Sequence, residues 1–179
     1  LPHCSNNEEK IPHVADKVAH LEKNIGYIHM EHGRYETAHK FYQNAYRVEY
    51  ADKGTHATEV ADILVEIADL YEVEGKNDKA MRTYEQAVSI YNKHKESKMK
   101  VSKTLQRLGK ICFEKLGEYE MALDLYKQAS RVMIDSVMTD SNGHLHQVEI
   151  AKIQIAIGTI QMYSEKFTRA KEHIEKALS

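Results

Sequence analysis

The chain has 179 residues, with 25 Lys and Arg against 27 Asp and Glu, a formal net charge of −2, two Pro, no Trp and eleven Tyr. So even a balance excludes a global electrostatic reason to bind nucleic acid or an anionic membrane; either would need a local patch. No apolar run approaches the roughly 18 residues that span a bilayer, and no signal-like stretch or Asn-x-Ser/Thr acceptor is present.

Residues 1–11 are polar and irregular, and Pro12 suits the first position of a helix that the spacing carries to about Glu31. His32-Gly33-Arg34 turns the chain into a second helix bearing Tyr35, Ala38, Tyr42, Ala45 and Val48. Asp52-Lys53-Gly54-Thr55 ends this first hairpin. In the next, Leu64, Ile67, Leu70 and Tyr71 form one helical face, and Met81, Tyr84, Ala87, Val88 and Tyr91 form another. Between them Gly75 is placed to end a helix in the left-handed conformation, with Asn77 or Asp78 suited to capping its successor. Ala68, Ala80 and Ala87 mark close helix contacts, where a Leu would overpack. A third hairpin begins near Ser97, turns at Gly117 and continues through Tyr119, Ala122, Tyr126 and Ala129 to about Met138. After a loop over 139–143, a fourth runs from about Leu145 through Ile157-Gly158, turns at Ser164-Glu165-Lys166 and finishes with Phe167, Ala170, Ile174, Ala177 and Leu178. The repeats are thus expected at about 12–53, 55–95, 97–138 and 144–179.

The register repeats. Gly33, Gly75 and Gly117 are 42 residues apart, as are Ala38, Ala80 and Ala122, Tyr42, Tyr84 and Tyr126, and Ala45, Ala87 and Ala129. With the pairs Ile25-Gly26, Ile67-Ala68, Leu108-Gly109 and Ile157-Gly158, residues 13–179 resemble the tetratricopeptide repeat family. The longer period is similar to the repeats of kinesin light chain and LGN-type adaptors. The family's Pro after each second helix is missing, and Ile174 and Glu165 stand where the other repeats have Tyr and Gly. The resemblance implies an all-α, right-handed solenoid superhelix of four hairpins, acting as a non-catalytic adaptor that binds a partner peptide in its concave groove. Two alternatives are a structural oligomer assembling through its array ends and a sensor that closes on a peptide signal.

The first helices should line the groove. Their equivalent inward stripes are His20, Asn24 and Tyr27; Asp62, Glu66 and Asp69; Lys103, Arg107 and Lys110; and Lys152, Ala156 and Thr159. The acidic second stripe and basic third stripe either pair with each other, Asp62, Glu66 and Asp69 against Lys103, Arg107 and Lys110, or hold a charged ligand. Lys23, Lys103 and Arg107 also resemble the cations of the clamp by which some family members grip a chaperone's C-terminal carboxylate. Tyr27 and Glu66 replace that clamp's two Asn, and Glu66 would repel the ligand.

Catalysis is not expected, because no Gly-rich phosphate loop or strained nucleophile turn is visible. His29/His32 and His144-x-His146 lack the placed carboxylate or thiolate of a metal site, so neither metal nor cofactor is expected. Cys112 reads as a small core residue, and the Tyr series as core packing. With no disulfide pattern from Cys4 and Cys112, a reducing, cytoplasmic compartment is the simpler reading. The chain starts at Leu1 without Met, which leaves open whether it is an excerpt of a longer array with any targeting sequence outside it. At its end, Phe167, Ile174 and Leu178 leave an apolar face for further repeats, a capping helix or self-association to cover.

Overall fold

A computed structural model describes residues 12–137 and 143–178, with side chains over 14–136, 146–166 and at 168. It is a helical solenoid of the tetratricopeptide type. The helices are α1 (Pro12–Glu31), α2 (Tyr35–Lys53), α3 (Thr58–Val73), α4 (Asn77–Tyr91), α5 (Lys98–Ile111), α6 (Tyr119–Val137) and α7 (Gly143–Leu178). Helices α1 and α2, α3 and α4, and α5 and α6 form antiparallel hairpins; α2 then packs on α3, α4 on α5 and α6 on α7. No helix among the described residues is long and apolar enough to cross a membrane.

Each hairpin turn rests on one glycine. Gly33, Gly75 and Gly117 take φ of 70, 74 and 68°, a conformation that costs other L-residues about 1–2 kcal/mol. In the first two turns the glycine N–H bonds three residues back, Gly33 to Met30 and Gly75 to Glu72. The following N–H bonds five back, Arg34 to His29 and Lys76 to Tyr71, which satisfies the terminal carbonyls. Asn77 does not cap α4 but is its first residue, and no side chain hydrogen-bonds the helix start.

The third turn differs. Seven residues separate Gly26 from Gly33 and Ala68 from Gly75, but eight separate Gly109 from Gly117. The extra residue is absorbed by a π-helical turn over Cys112–Leu116, and the N–H of Glu118 reaches six residues back to Cys112. A π-turn is the usual way for a helix to accommodate one inserted residue without changing its two ends.

Small residues and rings interlock inside each hairpin. Ala38, Ala80, Ala122, Ala45, Ala87 and Ala129 are all fully buried, as are Tyr42 and Tyr84. A Cβ on Gly26 would lie 2.9 Å from the Tyr42 ring, and one on Gly109 would lie 2.7 Å from Tyr126. Gly158 meets nothing within 4 Å, and among the described residues no second helix folds back over it.

That absence marks the one expected turn that does not form. Helix α7 runs unbroken for 36 residues through Ser164, Glu165 and Lys166, so three hairpins and a long seventh helix stand where four hairpins were expected. Glu165 occupies the glycine position, and left-handed backbone there would cost more than continuing the helix. The side chains of His144, Phe167, Ile174 and Leu178 and the segments 1–11 and 138–142 lie outside what is described, so the expected apolar C-terminal face has no structural description.

Candidate functional site: the face shared by the first helices

Helices α1, α3 and α5 present one continuous polar face, centred on α3. Asp62, Glu66, Asp69 and Glu72 form a carboxylate row at steps of four, three and three residues, which keeps them on one side of α3. Each carboxylate has a cation from a flanking first helix. Lys100 Nζ donates to both oxygens of Asp62 at 2.7 Å, Arg107 pairs with Asp69, Lys110 lies 3.7 Å from Glu72, and Lys23 of α1 lies 4.0 Å from Glu66.

The acidic and basic stripes therefore pair, but in a shifted register. The structurally equivalent positions on α3 and α5 are 41 residues apart, whereas Asp62–Lys100, Asp69–Arg107 and Glu72–Lys110 are each 38 apart. The neighbouring helices are staggered by about one turn. Lys103 is left between Lys100 and Arg107, exposed and, among the described residues, without a partner. Glu66, expected opposite Arg107, turns to Lys23 instead.

The row is held from beneath by α4. Tyr91 Oη donates to Asp62 Oδ1 at 2.6 Å, and Tyr84 Oη donates to Asp69. Burial, reinforced by these carboxylates, pushes both tyrosine hydroxyls well above their ordinary range, so they remain protonated donors. The desolvation of Arg107 is outweighed by Asp69 and Tyr84, which hold it firmly charged. Burial raises Glu66 above its ordinary 4.5, and Lys23 opposes the shift.

Two further residues escape a groove-only reading. Lys53 of α2 ties three elements together, its Nζ lying 2.6 Å from Asp16, 2.8 Å from Glu59 and 3.3 Å from the buried Glu49. His39 Nε2 lies 2.9 Å from Glu74 Oε2, joining α2 to the second turn, where Lys76 also reaches Glu74 at 3.0 Å. Both are visible in sequence only as charges on second helices and turns.

The remaining predicted groove residues are not gathered into one site. His20 and Asn24 bond each other at 3.1 Å, and Tyr27 is half exposed beside them. On α7, Lys152 turns to Glu149 of its own helix at 2.8 Å and Thr159 Oγ1 donates to the Ile155 carbonyl, while Ala156 is half-buried. Of the three clamp-like cations, Lys23 and Arg107 face carboxylates and Lys103 alone is free. Among the described residues no three His, Cys, Asp or Glu side chains converge as a metal centre requires.

The family model described as SNAP, soluble NSF attachment protein, matches residues 26–176. Among solved structures the chain is similar to BtubC (BKLC) from P. vanneervenii, with a TM-score of 0.70 at 16% identity, which bears on the fold alone. The likeness covers 91% of this chain and 63% of that one, so the chain spans less than two thirds of its structural neighbour. No curated protein matches it. With more than half its residues covered by the family model, the chain belongs to the soluble NSF attachment protein family.

Proposed function

We propose that the chain is a non-catalytic, cytoplasmic adaptor that holds a segment of a partner protein along the face of α1, α3 and α5. One observation carries the reading: Asp62 and Asp69 are held from beneath while Lys100 and Lys110, two of the cations of the row, are largely exposed. Asp62 and Asp69 are anchored by buried tyrosines, whereas the side chains of Lys100 and Lys110 are 46 and 52% exposed. Exposed pairs of this kind contribute about 0–1 kcal/mol each, so a partner's Lys or Arg can take over Asp62 or Glu72 at little cost. Lys103 offers a complementary site for a partner's carboxylate. The family description, which speaks of attachment to NSF, and the solenoid fold both support a partner-binding role.

The test is a peptide library, each member with a free and with a blocked C-terminus, screened against the native chain and against Lys103→Glu and Asp62→Asn. Basic segments should bind and lose affinity in Asp62→Asn, and those that also carry a carboxylate opposite Lys103 should lose affinity in Lys103→Glu. Equal binding by all three proteins, or none by the native chain, would move the function off this face. Selective binding of free C-termini would revive a clamp centred on Lys103.

A further inference from the structure

The opposite side of α1 carries a separate surface. Val14, Val18, Leu21, Ile25 and Ile28 are spaced four, three, four and three residues apart, and they are 50, 39, 60, 37 and 52% exposed. Their counterparts in the next hairpin are Val60, which is buried, and Ile63, Ile67 and Leu70, which pack on the hairpin before. Ile63 meets Ala45, and Leu70 meets Ala38 and Tyr42. In the third hairpin the counterparts Val101, Thr104, Leu108 and Ile111 are buried as well. Helix α1 thus bears the surface by which each hairpin seats on its predecessor, and no described residue covers it.

Its spacing is that of a heptad seam, and its flanks are self-complementary. Lys17, Asn24 and Glu31, seven residues apart and exposed, border the seam on the side of the polar face. On the other border Glu22 turns to Asn44 and His29 stacks on Phe41, both toward α2. If two such helices meet antiparallel, Val18 falls against Ile28 of the partner subunit and Leu21 against the partner's Ile25. Lys17 then faces Glu31 of the partner subunit, Glu31 faces the partner's Lys17, and Asn24 faces the partner's Asn24. A parallel pairing would instead ask Glu22, already turned to Asn44, to receive Lys17.

We propose that this face binds a second copy of the chain, through an antiparallel α1–α1 contact on a two-fold axis near Asn24. The contact is isologous and closes at two copies. It leaves the carboxylate row of α3 free, since that row lies on another side of the hairpins.

Sedimentation equilibrium of the full chain tests it. The native chain should reach twice 20.6 kDa. Leu21→Glu should sediment at the single mass with unchanged helicity, because Leu21 touches little within its own chain. Lys17→Glu and Glu31→Lys should each weaken self-association about tenfold, by placing like charges at both flanking contacts. Mixed together, the two variants should pair again, since every like-charge contact becomes an opposite one. A native chain that stays at the single mass, as it would if a preceding helix or a different protein covers α1, overturns the proposal. So does a doubled mass that survives Leu21→Glu, or a mixture of the charge variants that fails to recover.

Discussion

Tyr91 donates its hydroxyl to Asp62 at 2.6 Å from inside the second hairpin, and Lys100 closes on the same carboxylate from the third. A buried phenol thus fixes the group that a neighbouring hairpin reads. Hydrogen bonds to charged groups contribute about 1.5–3 kcal/mol, so Tyr91→Phe should lower unfolding free energy by that order in urea. Tyr42 is the control. Its hydroxyl is buried without a partner among the described residues, so Tyr42→Phe should be neutral or slightly stabilising. Equal losses from both substitutions would mean that the tyrosines act only by ring packing.

Glycines at equivalent positions should respond oppositely to the same change. Gly109→Ala brings a Cβ to within 2.7 Å of the Tyr126 ring and should cost about 1–3 kcal/mol, less the helix propensity it gains. Gly158→Ala meets open space and should gain up to about 1 kcal/mol from propensity alone. Thermal melts of the two variants decide it. A stabilised Gly109→Ala would contradict the close packing of α5 on α6.

The π-turn should be removable. Deleting Lys115 restores seven residues between Gly109 and Gly117, and Cys112–Leu116 should relax to ordinary α-helix with stability kept within about 1 kcal/mol. Deleting Val73 from α3, where the spacing is already seven, should cost several times more. Circular dichroism and chemical denaturation compare the two, and a Lys115 deletion as damaging as the Val73 deletion would show that the extra residue is not a simple insertion.

Glu74 provides a pH signature. Burial alone would raise its pKa, but hydrogen bonds from His39 and Lys76 outweigh it and hold the carboxyl below its ordinary 4.5. A depressed pKa contributes stability that is present above the unfolded-state value and lost as pH falls through the folded one. The native chain should therefore exceed Glu74→Gln in stability at pH 7, by about 1–2 kcal/mol, and the gap should close in the acid range below 4.5. A gap independent of pH would point to packing instead of charge.

Much of the fold was legible because the turn glycines, the buried alanines and the tyrosines sit at fixed offsets, each with a steric reason to be small, left-handed or large. The fourth turn does not form at Ser164-Glu165-Lys166 because Glu165, at the glycine position, lacks the freedom that Gly33, Gly75 and Gly117 supply. The π-turn was present in the numbers as a spacing of eight against seven. In the site, the spacing of Tyr84 and Tyr91 reads as core packing, whereas their hydroxyls also anchor Asp69 and Asp62. Asp69 and Asp62 lie seven and fourteen residues before Lys76, while Tyr84 and Tyr91 lie seven and fourteen after Asn77. A hairpin folded between Lys76 and Asn77 sets those positions opposite each other. The ion-pair register was not legible, because the stagger of α5 on α3 depends on how the hairpins stack.

The most direct measurement of the adaptor reading is site-specific photo-crosslinking of the tightest-binding library peptide, with the probe placed at Lys103 of α5 or at the exposed Lys127 of α6. Crosslinks from position 103 and none from position 127, competed by unlabelled peptide, are the predicted result. Crosslinking from 127 alone would place the partner on the second helices and contradict the account.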